Sequence, residues 1–146
     1  MQAGERVLVT GASGFVGSAV LRALSGRGLR LRARARASSP RANLEGIDCE
    51  VVLGDITDAE AIGRALSGVR YLFHVAADYR LWARRPADII HANTGGTGIV
   101  MEAALSRGVE RIVHTSSVAT LRPADASTSV DETAPLDEGD AIGAYK

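Results

Sequence analysis

Short apolar runs recur five times along the chain and alternate with segments whose apolar residues repeat at helical spacing. The runs occupy residues 6–10, 29–35, 50–53, 70–75 and 111–115, and helical patterns cover 14–25, 58–66 and 87–106, with a short turn at 41–45. Alternation of strands and helices is typical of a parallel sheet with right-handed crossover connections. The pattern therefore predicts an α/β, Rossmann-type doubly wound parallel sheet with strand order 3-2-1-4-5.

The alternation stops at residues 123–140, which are rich in Ser, Thr, Asp and Pro and predict a long surface loop. The last five residues, "IGAYK", have the pattern of a helix that is beginning. With 146 residues, the chain has the size of one domain. We interpret residues 1–146 as a single dinucleotide-binding domain, truncated at its C-terminal end.

Composition and charge narrow the class of ligand. Aromatic residues make up only 4% of the chain, so its core must consist of Ala, Val, Leu and Ile. The formal net charge is zero, but arginines are concentrated in the first 48 residues. A local basic cluster in a neutral chain fits a small phosphate ligand better than nucleic acid.

The single cysteine, Cys49, argues against a disulfide framework or a thiolate metal cluster. No apolar stretch approaches 18 residues, and the N-terminus runs directly into a strand pattern, so we expect neither a membrane span nor a signal peptide. These features predict a cytoplasmic protein without a bound metal.

Three glycines at three-residue spacing, in "VTGASGFVG", lie between the first strand pattern and the first helix pattern. A dinucleotide pyrophosphate can approach a helix N-terminus only where the turn is tight and side chains are absent. Gly11 would make the turn, Gly14 would face the pyrophosphate and Gly17 would allow close helix packing. The expected cofactor-binding loop is Gly11, Ser13, Gly14, Phe15, Val16 and Gly17. A tight turn without a ligand is the alternative.

The form TGxxGxxG resembles that of the short-chain dehydrogenase/reductase superfamily. Extended members carry further motifs after the third, fourth and fifth strands, and this chain has them in order. The stretches "FHVAADYRLWA" and "NTGGTGIVMEAALSRGVERIVHTSSVATL" resemble the hopanoid-associated sugar epimerases, relatives of dihydroflavonol 4-reductases. The motifs that carry the resemblance are Gly54-Asp55-Ile56, Val75-Ala76-Ala77, Asn93, Thr115-Ser116-Ser117 and Tyr145.

The resemblance assigns cofactor contacts to the strand ends. Asp55 and Ile56 would flank the adenine, or serve only as a turn residue and a core residue. Ala76 and Ala77 would lie against the nicotinamide-side ribose, although tight helix packing would also require small residues. These contacts imply a nicotinamide dinucleotide as cofactor.

No acidic residue occurs between Glu5 and Glu45, where an NAD enzyme carries the acid that binds the ribose 2′-OH. The resemblance instead implies that Arg36 faces a 2′-phosphate, which predicts NADP rather than NAD. The arginines at 30–36 alternate with apolar residues and could simply line a solvated strand face. Arg34 is unexpected on an inner strand, so we expect it to reach solvent or the strand to be less covered.

For catalysis, the resemblance assigns proton transfer to Tyr145 and a second hydrogen bond on the substrate oxygen to Ser117, with Ser116 as the alternative. The Lys that would assist Tyr145 is expected at position 149, beyond the chain, and the substrate domain is also absent. We therefore expect this chain alone to be inactive. Asp78, Tyr79 and Trp82 are candidate substrate contacts, and Asn93 is expected to hold neighbouring backbone.

The resemblance to this superfamily implies hydride transfer on a sugar-nucleotide or related hydroxyl or carbonyl substrate. The expected partner is a small molecule, and the full-length protein could form a homodimer. A carbonyl reductase of the dihydroflavonol 4-reductase type is one alternative. A non-catalytic dinucleotide-binding module that senses redox state is another, although Ser117 and Tyr145 argue against it.

Overall fold

A computed structural model of the chain describes residues 1–80, 82–117, 120–121, 127 and 129–133. Within these residues, five parallel strands form one sheet in the order β3-β2-β1-β4-β5, which confirms the predicted topology. Most of the predicted loop at 123–140 lies outside the described residues, as does Tyr145. The strands are β1 (Arg6–Thr10), β2 (Arg30–Ala35), β3 (Glu50–Leu53), β4 (Tyr71–His74) and β5 (Arg111–His114).

Helices cover both faces of the sheet. On one face, α1 packs through Leu21 and Leu24 on Val7 and Val9 of β1. On the other face, α2 and α4 pack on Leu8, on Leu72 of β4 and on further apolar residues. Both faces of the inner strands are therefore buried, as expected for a parallel sheet. The helices are α1 (Phe15–Leu24), α2 (Ala59–Ala65), α3 (Pro86–Ile90) and α4 (Gly96–Ser106), with a 3₁₀ turn at Ala42–Leu44.

The helical pattern at 87–106 does not form one continuous α-helix. Residues His91–Gly95 form a π-helical turn between α3 and α4. Immediately after this turn, α4 approaches the end of β3 so closely that a Cβ on Gly96 would lie 2.7 Å from Ile56 Cδ1. Wide helical turns of this kind are frequent at functional sites. Here the turn contains Asn93.

Arg32 and Arg34 contradict the expectation that the β2 arginines line a solvated face or reach solvent. Their relative exposures are 7% and 3%, whereas Arg30 and Arg36 at the two ends are exposed. Because side chains alternate along a strand and Leu31 and Ala33 pack under α1, the two arginines point to the α2 face. After Arg30, every residue of β2 is buried, and the two guanidinium groups are buried on the α2 face of the strand.

The two buried arginines have different surroundings. Arg32 Nε donates to Glu50 Oε2 at 2.9 Å, and Nη1 donates to the carbonyl oxygens of Ala65 at 2.6 Å and Ser67 at 3.1 Å. These carbonyls lie at the C-terminal end of α2, where a cation is favourable. Arg34 Nε and Nη2, in contrast, have no hydrogen-bond partner among the described residues.

Replacing Gly17 with Ala should lower the free energy of unfolding by about 2–4 kcal/mol. A Cβ at this position would lie 2.2 Å from the Gly11 carbonyl oxygen and 2.7 Å from its carbon, so α1 would have to move away from β1. Urea unfolding measures the change. Gly98→Ala is the matched control, because Gly98 lies inside α4 with nothing within 4 Å of its Cβ position. That variant should gain about 0.5–1 kcal/mol, and equal effects of the two variants would contradict the packing argument.

Candidate functional site

The glycine turn brings the backbones of β1, α1 and β4 into contact. Gly11 has a φ of +64°, and a Cβ there would lie 2.8 Å from the backbone nitrogen and Cα of Ala76. A side chain is thus excluded both by conformation and by space. The expected roles of Gly11 in the turn and of Gly17 in helix packing agree with this geometry.

Gly14 differs from the other two glycines. It precedes α1 with an extended backbone, and a Cβ would meet only the Gly11 carbonyl oxygen, at 3.2 Å. The residue is exposed. Inside the protein, therefore, space does not strictly require a glycine here. The role of Gly14 opposite a pyrophosphate stays a prediction, and the open surface above it fits that role.

The N-terminus of α1 offers hydrogen-bond donors. The first amides of a helix have no acceptor within it, and α1 has neither a capping side chain nor an acidic residue in its first turn. Phe15 and Val16 are exposed at this end. With the helix dipole, these amides favour an anion, so the residues present fit the pyrophosphate of a dinucleotide.

Asn43 supports the glycine turn, and the sequence contained no motif that singled it out. Its Nδ2 donates to the Ser13 carbonyl oxygen at 2.9 Å, and its own carbonyl accepts from Arg22 Nη2 at 2.7 Å. The 3₁₀ turn at Ala42–Leu44 is thus tied both to the loop and to α1. This hydrogen bond holds the Ser13 backbone in place.

Thr10 and His74 hold the ends of β1 and β4 together. The Thr10 hydroxyl oxygen accepts from the amides of Val75 at 3.1 Å and Ala76 at 3.2 Å. Its single hydrogen is then available for His74 Nδ1, 2.7 Å away. His74 Nε2 must therefore carry the ring proton, which it donates to Thr97 Oγ1 at 3.1 Å.

His74 is completely buried. Burial, followed by the neighbouring His114 ring at 5.3 Å, lowers the pKa of His74 to about 4. The ring is thus neutral at physiological pH, as its hydrogen bonds require. The ring has a structural function that the sequence did not indicate, which is to fix the end of β4 at Ala76 through Thr10.

The two alanines at the end of β4 have different surroundings. Ala76 is half-buried against the core on the α2 face and in close contact with the glycine turn, so packing accounts for its small side chain. Ala77 is exposed. A ribose contact at either residue stays a prediction. For Ala77 it is the better explanation of the small side chain, because this exposed residue is not constrained by packing.

Asp55 and Ile56 follow β3 and point in different directions. Ile56 is 9% exposed and packs against Gly96. Asp55 is exposed, and its Oδ1 accepts from Thr57 Oγ1 at 2.8 Å and from the Thr57 amide at 3.1 Å. Partial burial acts to raise the pKa of Asp55, but the Thr57 hydrogen bonds and the charges of Arg34 and Arg36 outweigh it, and the pKa is lowered.

Arg36 is the first residue after β2 and is exposed. In the described part of the chain, its guanidinium makes no hydrogen bond or ion pair. Its charge nevertheless contributes to the lowered pKa values of Asp55 and Asp78. The structure therefore leaves a free cation at the strand end where the sequence predicts a phosphate contact.

Asn93 fixes the loop that follows β4. Its Oδ1 accepts from the Asp78 amide at 2.7 Å, and its Nδ2 donates to the Asp78 carbonyl oxygen at 2.9 Å. This confirms the prediction that Asn93 holds neighbouring backbone. Tyr79 and Trp82 beyond it are 84% and 78% exposed, which leaves them available as substrate contacts.

Ser117 lies three residues beyond β5 and is exposed. Its carbonyl oxygen accepts from the amide of Thr120 at 3.0 Å and from its hydroxyl at 2.7 Å. Ser116 Oγ lies 3.5 Å from Thr120 Oγ1. Because Tyr145 is outside the described residues, the pairing of Ser117 with Tyr145 stays a prediction.

Among the described residues, no group of three His, Cys, Asp or Glu side chains is arranged to hold a metal ion. No helix in the described ranges is long and apolar enough to cross a membrane.

Comparison with known proteins agrees with this geometry. A protein of Synechocystis sp. that carries the provisional name dihydroflavonol 4-reductase is 38% identical over 138 residues, covering 94% of this chain and 40% of its own length. A crystal structure of gox2253 has a TM-score of 0.89 and 48% identity, covering 97% of this chain and 43% of that one.

A short-chain dehydrogenase/reductase superfamily protein from Agrobacterium tumefaciens, with NAD bound, has a TM-score of 0.80 and 30% identity. The match covers 97% of this chain and 40% of the chain of the Agrobacterium protein. This chain thus spans about two fifths of the length of these relatives.

The model of the NAD dependent epimerase/dehydratase family matches residues 7–146. The match extends far beyond the glycine turn and includes every strand of the sheet. The chain therefore belongs to the NAD dependent epimerase/dehydratase family.

Proposed function

We propose that residues 1–146 are the cofactor-binding domain of an NADP-preferring oxidoreductase that acts by hydride transfer on a sugar-nucleotide or related hydroxyl or carbonyl substrate. The observation that carries the proposal is the glycine turn, where backbone contacts exclude side chains at Gly11 and Gly17 and α1 begins without a capping side chain. A related structure with NAD bound supports a nicotinamide dinucleotide as the cofactor class.

The preference for NADP rests on the end of β2. Arg36 is exposed and unpaired within the described ranges, and no acidic residue is present in the sequence between Glu5 and Glu45 to bind a ribose 2′-OH. A guanidinium binds a phosphate through two parallel hydrogen bonds. Arg36 would hold the 2′-phosphate, and Asp55 would face the adenine from the neighbouring strand end.

The bound nicotinamide would accept or donate the hydride. Tyr145 would donate or accept the proton at the substrate oxygen, and Ser117 would hold that oxygen with a second hydrogen bond. A free phenol has a pKa near 10 and is a poor base at neutral pH, so Tyr145 requires a neighbouring cation in the assembled site. Tyr79 and Trp82 would contact the substrate beyond the β4 end.

A carbonyl reductase is the second candidate, favoured by the Synechocystis relative whose name includes that activity. An epimerase retains its nicotinamide through the catalytic cycle, whereas a reductase releases it after each turnover. The cofactor content of the purified full-length protein distinguishes the two. The proposed domain role and the NADP preference are common to both.

Replacing Gly14 with Val should abolish dinucleotide binding while the fold is retained. The branched side chain would occupy the exposed surface where the pyrophosphate approaches, and within the protein its Cβ would meet only the Gly11 carbonyl oxygen, at 3.2 Å. Fluorescence titration with NADPH measures the affinity, and circular dichroism checks the fold. Ala19→Val, an exposed position further along α1, is the control and should bind as the wild type does. Unchanged binding by Gly14→Val would mean that the loop is only a turn.

Replacing Arg36 with Asp should weaken NADPH binding by about 10- to 100-fold and leave NADH binding the same or tighter. The variant loses charge-assisted hydrogen bonds worth on the order of 1.5–3 kcal/mol and gains a carboxylate that repels phosphate. Arg30→Asp makes the same charge change at the opposite, exposed end of β2 and should leave both affinities unaltered. Equal affinities of the wild-type protein for the two cofactors would refute the assignment.

In the full-length protein, Tyr145→Phe should reduce kcat by at least about 100-fold, because the transferable proton is removed. The dissociation constant for NADPH should change less than about threefold, since the phenol hydroxyl is not needed to bind the cofactor. Steady-state kinetics and titration measure the two quantities. A variant with undiminished kcat would show that Tyr145 is not the proton donor.

A further inference from the structure

The buried guanidinium of Arg34 has no bonding partner that accounts for it. Arg34 is 3% exposed, and within the ranges that the structure describes neither its Nε nor its Nη2 has a hydrogen-bond partner. Nη2 lies 3.2 Å from the position that a Cβ on Gly54 would occupy, directly beneath the loop that leads from β3 to α2. Burying a charge without such bonds is costly. A buried unsatisfied group in a well-packed region calls for a functional explanation.

Arg32 shows that this strand can satisfy a buried arginine. It lies two residues earlier on the same face of β2, and its guanidinium is bonded to Glu50 and to two carbonyl oxygens of the α2 end. Arg34 has no equivalent acceptors. Its role must therefore depend on its charge rather than on directed hydrogen bonds.

The loop next to Arg34 carries two carboxylates, because Gly54, whose Cβ position lies 3.2 Å from Arg34 Nη2, is followed by Asp55 and Asp58. Both negative charges act on Arg34, as does the positive charge of Arg36. Burial lowers the pKa of Arg34, and the two carboxylates partly offset this effect. Both carboxylates are otherwise engaged. Asp58 Oδ1 caps α2 by accepting from the Ala61 amide at 3.0 Å, and Asp55 accepts from Thr57. Arg34 thus acts on these exposed carboxylates through space, without a direct hydrogen bond to either of them in the described part of the chain.

The two carboxylates on which the Arg36 charge acts, those of Asp55 and Asp78, each interact with another cation as well. The charge of Arg36 contributes to the lowered pKa values of Asp55 and Asp78. Asp78 is paired with Arg80, whose Nε donates to Oδ1 at 2.8 Å. Asp55 has Arg34. Without Arg34, the negative charges of Asp55 and Asp58 would compete for Arg36 and repel an anionic ligand.

We propose that Arg34 is a specificity-determining residue of the dinucleotide site: its buried charge cancels the field of Asp55 and Asp58 and leaves Arg36 free to bind the 2′-phosphate of NADP. This inference rests on the proposed function, since it concerns the same phosphate. It explains why the molecule buries an arginine that its own fold does not bond. With the charge of Arg34 present, Asp55 beside the adenine and Asp58 at the start of α2 are compatible with a phosphate site.

The test is Arg34→Met, which removes the charge and keeps the bulk, with Arg34→Gln as a second variant that keeps polarity. NADPH and NADH dissociation constants are measured by titration. Each variant should weaken NADPH binding by about three- to tenfold and leave NADH binding within twofold. The affinity ratio, defined as the affinity for NADPH divided by that for NADH, should therefore fall. The urea unfolding midpoint of Arg34→Met should equal or exceed that of the wild type, because an unpaired buried charge is removed.

Arg32→Met is the matched control. It removes a bonded guanidinium from the same face of β2, so it should lower the unfolding midpoint and leave the affinity ratio unchanged. Asp58→Asn provides a charge-specific rescue, because Asn still caps a helix. Added to Arg34→Met, it should restore at least half of the lost NADPH preference on a logarithmic scale.

An unchanged ratio in both folded Arg34 variants would overturn the inference. So would an equal loss of both cofactors, which would mean that Arg34 only shapes the pocket. The ratio is compared with that of the wild type, whichever cofactor the wild type prefers. A wild type that prefers NADH would therefore refute the proposed cofactor, while a fall in the ratio on losing Arg34 would still support the charge effect.

Discussion

The close backbone approach at the glycine turn is the constraint on which the rest of this structure depends. The ends of β1 and β4 and the start of α1 meet within van der Waals distance, with room for no Cβ at Gly11 or Gly17. This contact sets the position of α1 over the sheet, and the helix begins there without a capping side chain for its first amides. The same contact brings the end of β4, with Ala76, beside the turn. One packing requirement thus fixes the start of α1 and shapes the surface that we propose as the cofactor site.

Polar contacts then hold the neighbouring strand ends in place. Thr10 binds two amides of the β4 end and is itself held by the neutral, buried His74 ring, which reaches α4 through Thr97. Asn93 holds the following loop from a π-helical turn. A site built in this way is kept rigid by fully bonded groups. Arg34 is the exception, and its unbonded charge lies at the phosphate end of the proposed site.

The balance of positive and negative side chains determines which ligand charge the ends of β2, β3 and β4 can accept. Several carboxylates and arginines are grouped at the ends of β2, β3 and β4, yet Arg36 is left unpaired in the part of the chain that the structure describes. Neutralisation of Asp78 by Arg80 uses direct bonds at the surface, whereas Arg34 acts through the protein interior. The family relationship defines a dinucleotide-binding fold, while this arrangement of charges distinguishes the individual chain.

The sequence by itself determined the order of strands and helices, the sheet topology and the glycine turn, because these depend on local periodicity and on glycine spacing. It also indicated that Asn93 would bind backbone, since that role follows from its place in a recognised motif. Only the tertiary structure decided three other features. These are the burial of Arg32 and Arg34, the hydrogen-bond partners of His74 and the support of the glycine turn by Asn43. Each depends on residues distant in the sequence that meet across strands and helices. Alternation along β2 shows that arginines share one face, but only the packing of α2 decides whether that face is solvated or buried. The difference between a bonded Arg32 and an unbonded Arg34 depends on where the carbonyl oxygens at the end of α2 lie, and no local pattern encodes that.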